Sequence, residues 1–424
     1  MNPFKEKPLQ LDKALYSWKK MYPKPLDKRG DPYTKARVIL MNGTEFDANW
    51  NSHCFLRHTD DYELRQEISF TRFIEKEQQQ MLNMLKPVDE NMLETTIGYE
   101  QLAVDLTAEL AKREKDFHVK KALDFALLED FDHLYRYSNL LESDYGVRAE
   151  ELVGGYTEIT PARPTLAHHR HPLDNARRNI LAKKSDKQTV LNTMIITAAE
   201  QQTMNFYMNL SSFYKNDEGR KLFQEIALVE EEHVTQYGSL MDSTADFFEM
   251  CLWHEYNECY LYWSCYMTET NRAMKLFWEE NLQLEIAHLH KAVEIMKKFG
   301  KKDYDTVIPD GKFPEPISLH ENIDYVRDII DTTAQFTSKD DGYVDIADLK
   351  ENDRFFEYQK MLNSPITSVP SHSVITRNIE EFKEDYRFEK SPNPLKPLQK
   401  RDSDNTTIGV KPQKLGNKGF VANK

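Results

Sequence analysis

The chain has 424 residues and a formal net charge of −14, with 70 Asp and Glu against 56 Lys and Arg. That acidity argues against a general nucleic-acid binder. The lack of any run of about 18 apolar residues argues against a membrane span. Glycine is scarce, at 14 residues, while Leu, Met, Glu, Lys and Gln crowd the middle of the chain, a balance that favours helix over sheet. A hydrophobic content of 40% suffices for a sizeable core, in two or three domains or in one large helical body with extensions. Cys54, Cys251, Cys259 and Cys265 form no CxxC pair, so reduced thiols are expected. The opening stretch MNPFKEKPLQLDKALYSW has no apolar signal core, and the expectation is a cytoplasmic protein.

In chain order, residues 1–60 are expected to form an irregular arm, because Pro3, Pro8, Pro23, Pro25 and Pro32 interrupt any long helix. His53, Cys54 and His58, near its end, are expected on an ordinary polar surface. A helical body is expected over 61–300. Its first helix runs from Tyr62 to about Leu85 and stops before Pro87; further helices follow over about 91–112 and 119–142. Residues 143–184 carry Gly154, Gly155, Pro161, Pro164 and Pro172 and are expected to be a crossover. The run His168, His169, His171 within it is expected to be part of a flexible polar loop rather than a set of ligands. A helical hairpin follows over 189–240, turning at Lys215–Gly219, and another over 244–299. Residues 301–389 are expected to be linker and short helices, near 323–333 and 352–362, with KDDGYVD at 339–345 a turn rather than a calcium loop. Residues 390–424 carry eight Lys and Arg against two Asp, or +6, which leaves −20 on the rest; a disordered basic tail is expected, able to lie over an acidic face.

The chemistry concentrates in the hairpins. Glu230 and His233 are three apart and share a helix face with Phe223, Ile226, Ala227, Val234 and Tyr237. A carboxylate and an imidazole in an apolar stripe require a partner or a metal. Glu200 holds the same place on the facing arm, among Thr193, Ile196, Thr197, Met204 and Tyr207. Shifting the numbering by 100 carries Glu100 onto Glu200, Asp130 onto Glu230 and His133 onto His233, so two hairpins follow one design. The third hairpin has Glu258 facing Glu285-x-x-His288. With 13 His and about one acid in six residues, roughly two acid-x-x-His matches arise by chance, and the chain has three. The added specificity is an acid 30, 30 or 27 residues upstream of each.

Glu100, Asp130-x-x-His133, Glu200 and Glu230-x-x-His233 resemble the metal-binding pattern of the ferritin-like di-iron carboxylate proteins, the rubrerythrin and ferritin superfamily. The resemblance covers about 90–240 and is one of motif and spacing. It implies an all-α, ferritin-like four-helix bundle, here with additional helices and irregular terminal extensions. It implies two iron ions, or manganese, held by Glu100 and Glu200 as single-helix carboxylates, Asp130 and Glu230 as motif carboxylates, and His133 and His233 as imidazoles. Four carboxylates and two divalent ions also sum to zero charge. The family's long crossover between its second and third helices matches 143–184, which places the metals between the first two hairpins; Glu258, Glu285 and His288 form the alternative or a second site. Asp130 stands where the family has Glu, so Glu129, also on that face, is a candidate to replace it. Tyr99, Tyr137, Tyr207 and Tyr237 lie within about two turns of these residues and are expected mainly as core aromatics.

The expected function is an oxidoreductase reacting with O2 or H2O2, its electrons coming from a separate electron donor, with homo-oligomers open and no nucleic-acid or membrane partner. The competing expectations are a non-catalytic metal-binding or iron-storage protein, and a helical interaction protein whose acids are solvated.

Overall fold

Four pairs of long helices, each joined by three or four residues, make up most of what the computed structural model describes, which is residues 1–162 and 167–383. The pairs are α1 (Pro32–Arg57) with α2 (Tyr62–Leu85), α3 (Met92–Arg113) with α4 (Phe117–Tyr145), α6 (Lys187–Phe213) with α7 (Asp217–Leu240), and α8 (Phe247–Thr268) with α9 (Arg272–Ile295). Connections this short force antiparallel neighbours. Local chemistry sets the ends. Asn91 with Glu94, and Asp246 with Glu249, close capping boxes on α3 and α8. Asp61, Asp116 and Asn271 accept from the first free N–H groups of α2, α4 and α9. Gly146 ends α4 at φ 64°, a left-handed position that suits glycine.

Among the described residues the fold is all-α apart from one hairpin, β1 (Phe336–Lys339) against β2 (Gly342–Asp345), with Phe336 opposite Asp345. Its turn lies within KDDGYVD, as the sequence suggested, with Asp340 at φ 50°. The remaining helices are α5 (Ala149–Leu152), α10 (Ile323–Thr333), α11 (Arg354–Leu362) and α12 (Pro370–Phe382). The tail expected to be disordered over 390–424 lies outside the described residues.

The expected irregular arm over 1–60 is corrected: α1 occupies 26 of those residues. Pro32 does not interrupt this helix but begins it, since a first-turn proline gives up an N–H that has no helical partner, and Asp31 caps the end. The single body expected over 61–300 is also redrawn, because the described chain divides into two compact units. The first comprises Met1–Asp89, Asn179–Gln202 and Met241–Leu319. In it α1 packs on α2 and α8, and α9 packs on α2 and α8, a closed ring of four. Its core includes Met41, Ile74, Leu82, Leu252, Leu261, Trp278 and Leu289.

The second unit comprises Glu90–Arg178, Thr203–Leu240 and the described residues from His320. In it α4 is central, packing on α3, α7, α10 and α12. The apolar stripe Leu123, Ala126, Leu127 and Leu134 of α4 is buried, as are Leu222, Phe223, Ile226 and Val229 of α7. No helix among the described residues is long and apolar enough to cross a membrane, and all four cysteines are free.

Candidate metal centre

Glu100 on α3, Asp130 and His133 on α4, and Glu230 and His233 on α7 are each at most 1% exposed. A helix repeat of 3.6 residues puts Asp130 with His133, and Glu230 with His233, on one face about a turn apart. Those faces meet inside the second unit. Oxygen or nitrogen atoms of Glu100, His133 and Glu230 lie within 4.8 Å of one another, and so do those of Asp130, Glu230 and His233. Glu230 belongs to both groups. Glu200 is buried too, on the stretch of α6 that belongs to the first unit.

The contacts around Glu230 are ordered. Its Oε1 is 3.0 Å from His133 Nδ1, and its Oε2 is 3.1 Å from His233 Nδ1. His233 Nδ1 is also 3.4 Å from Asp130 Oδ1. The opposite ring nitrogen, His233 Nε2, is 2.8 Å from Glu129 Oε2. A neutral imidazole donates from one nitrogen only. With Nε2–H donated to Glu129, Nδ1 presents its lone pair to two carboxylates, an arrangement that is attractive only with a proton or a cation between them. Asp130 lies on the Nδ1 side of the ring and Glu129 on the Nε2 side.

Glu129 is itself held by the fully buried Arg170, whose guanidinium pairs with it and whose Nε donates to Asn175 at 2.7 Å. The Arg170 backbone N–H donates to Glu232 at 2.9 Å. His168 Nε2 lies 2.8 Å from Asp132, which Arg136 also meets at 2.7 Å. His169 Nδ1 is 3.5 Å from Glu232. The histidine run expected in a flexible polar loop is therefore buried, supporting the acids of α4 and α7. Its lack of hydrophobic residues concealed this, since the segment is held by ion pairs and hydrogen bonds rather than by an apolar stripe. His171 instead caps the turn at Pro172–Asp174.

Hydroxyls complete the surround. Tyr207 donates to Glu100 at 2.5 Å, and Thr107 donates to Asp130 Oδ2 at 3.1 Å, leaving Oδ1 on the imidazole side. Tyr137 is fully buried, with its ring 5.2 Å from Tyr207 and its hydroxyl without a hydrogen bond among the described residues. Tyr99 stacks on Phe206 at 4.3 Å, and the Tyr237 ring is 6.2 Å from His233. Tyr207 thus has a polar role that its core-aromatic pattern did not disclose.

Burial raises the Asp130 carboxyl, His233 opposes this, and Glu230 adds to it, for a net rise to about 7. Burial would raise Glu230 as well, but His133 and His233 outweigh it and hold Glu230 below the usual carboxylate range. Two neighbouring acids are thereby driven apart, Asp130 up by burial and the Glu230 charge, Glu230 down by the two imidazoles.

Two donors in adjacent positions on one first-row divalent ion, each roughly 2.1 Å from it, are about 3 Å apart. The two Glu230–imidazole contacts have that separation. Carboxylates with imidazoles also suit iron and manganese chemically. Glu258, Glu285 and His288 belong to the other unit, all fully buried. Compared with known proteins, the chain matches no family model, no curated protein and no solved structure.

Proposed function

We propose that Glu100, Asp130, His133, Glu230 and His233 hold two iron ions in a ferritin-like arrangement, and that the protein is an oxidoreductase acting on O2 or H2O2. Glu200, the counterpart of Glu100 in the repeat, lies in the first unit. Manganese is the other ion these donors suit. The observation that carries the reading is Glu230, whose two oxygens each face the Nδ1 of a different buried histidine. Glu230 would hold the metal together with His133 and His233. When bound, a pair of iron ions supplies two-electron reduction of dioxygen or peroxide.

The protein's own part is positional. Glu129, fixed by Arg170, keeps the proton of His233 on Nε2 and so leaves Nδ1 able to bind. Tyr207 and Thr107 orient Glu100 and Asp130. Leu106, Phe131, Leu134, Ile226 and Val229 are buried on the same helices and keep bulk water from the donors.

The test is anaerobic addition of Fe2+ followed by O2 and a chemical reductant. The expected result is oxygen consumption with a near-ultraviolet charge-transfer band, both lost in Glu230→Gln. No oxygen consumption by the wild-type protein, or none of it lost in Glu230→Gln, would overturn the assignment. A band with only stoichiometric oxygen use would favour storage instead.

A further inference from the structure

The first unit repeats the design with a different donor balance. Shifting the numbering by 55 carries Glu45, Glu75 and Gln78 onto Glu100, Asp130 and His133, and carries Glu200, Glu230 and His233 onto Glu255, Glu285 and His288. All four helix pairs therefore share one acid-to-acid spacing of 30 residues. In the first unit α1, α2, α8 and α9 bring their members together. Glu75, Glu255 and His288 lie within 4.8 Å of one another at their donor atoms, and Glu255, Glu258 and Glu285 do the same.

We propose that these residues form a second divalent-cation centre in the first unit, one whose oxygen-rich donors take manganese. Glu45, Glu75, Glu258, Glu285 and His288 are each at most 1% exposed. Among the described residues both carboxylate oxygens of Glu258, one of Glu45, and His288 Nε2 have no hydrogen-bond partner. Five buried carboxylates with so few partners cost several kcal/mol each, roughly, unless protons or cations lie among them. His288 Nδ1 points inward, 3.3 Å from Glu285 Oε2 and 3.9 Å from Glu75 Oε1.

The difference from the other centre is Gln78. It occupies the place of the second imidazole and donates to Glu285 at 2.5 Å and to Asn281 at 3.2 Å. An amide there removes one nitrogen donor and ties up one oxygen of Glu285. Five carboxylates with one imidazole are a harder set than the second unit's, and hard oxygen donors shift preference from iron toward manganese, magnesium and calcium. Manganese is favoured among these because an imidazole remains. A small cavity lined by Asn51, Thr71, Cys251 and Ala292 reaches Glu255.

The test is equilibrium loading of the full chain with Mn2+, read as bound metal per chain and by electron paramagnetic resonance. His133→Ala/His233→Ala is expected to retain bound Mn2+. Glu258→Gln/Glu285→Gln is expected to lose the Mn2+ that His133→Ala/His233→Ala retains, while its iron-dependent absorption persists. Wild-type Mn2+ content in Glu258→Gln/Glu285→Gln would overturn the proposal, leaving the cluster as a network of protonated carboxyls. Should the histidine variant fail to fold, the carboxylate variant decides alone. Loss of metal there with no oxygen chemistry at His133 and His233 would leave this proposal standing while the oxidoreductase assignment fell.

Discussion

Arg170 is the residue on which the second unit's polar interior depends most. It neutralises Glu129 where neither group is exposed, and Glu129 in turn fixes His233. Breaking a buried ion pair from one side leaves an uncompensated charge, so Arg170→Ala is expected to cost about 3–5 kcal/mol, read by urea denaturation. Iron affinity is expected to fall about 10–100-fold, because His233 loses its oriented tautomer. A variant as stable as the wild type would contradict the pairing.

Asp130 gives a pH signature at the same scale. Burial, with Glu230 and Glu129 nearby and against His233 and Thr107, pushes it up to about 7 from an ordinary 3.8. Between those values the folded chain binds a proton that the unfolded chain does not. Asp130 therefore stabilises the metal-free protein least above pH 7, and its contribution is lost as pH rises through that range. A metal must displace this proton. Calorimetry in buffers of different ionisation enthalpy is expected to show about one more proton released on loading at pH 6 than at pH 8. Equal release at both would count against Asp130 facing the ion.

At the scale of the element, α2 was legible to its ends because its apolar period is regular and Asp61 and Pro87 bracket it. The α1 helix was not. Its buried face includes Asn42, Gly43, Asn49 and Asn51, so no apolar stripe marks it. Asn42 bonds to Gln202 at 2.8 Å, a contact 160 residues away in sequence, and Asn49 turns back onto the Glu45 carbonyl of its own helix at 2.7 Å, so neither announces itself as an apolar stripe. With α1 unread, and with Gln78 standing where a histidine would have completed the motif, the fourth helix pair escaped notice. The α12 helix was hidden in the same way, starting at Pro370 in a stretch rich in Ser and Thr. Helix contacts can also be tight at single positions. A Cβ on Gly219 would lie 2.1 Å from the ring of Tyr214, which is buried and donates to Asp144 at 2.7 Å. Gly219→Ala is expected to destabilise by about 1–3 kcal/mol in thermal unfolding, against a gain of a few tenths if the ring moved freely.

At the scale of the whole molecule, the chain commits many ionisable groups to its interior. Among the described residues, acids and histidines on eight helices are buried in two separate units. The cost is tolerable if cations bind the folded state and not the unfolded one. Metal at a hundred times its dissociation constant stabilises a site by about 2.7 kcal/mol. Removing metal with a chelator is accordingly expected to lower the melting temperature by several degrees, recovered on adding back Fe2+ or Mn2+. An unchanged transition would place protons, not metals, among the carboxylates. The repeat that organises these groups was legible for two pairs from Glu100, Asp130, Glu200 and Glu230, because their histidines are intact.

Anomalous diffraction from iron-soaked crystals at the iron absorption edge tests the central claim most directly. Two iron peaks are expected to flank Glu230, one within bonding distance of His133 Nδ1 and the other of His233 Nδ1. A map with no iron between those imidazoles and Glu230, from crystals that bind iron elsewhere, would contradict it.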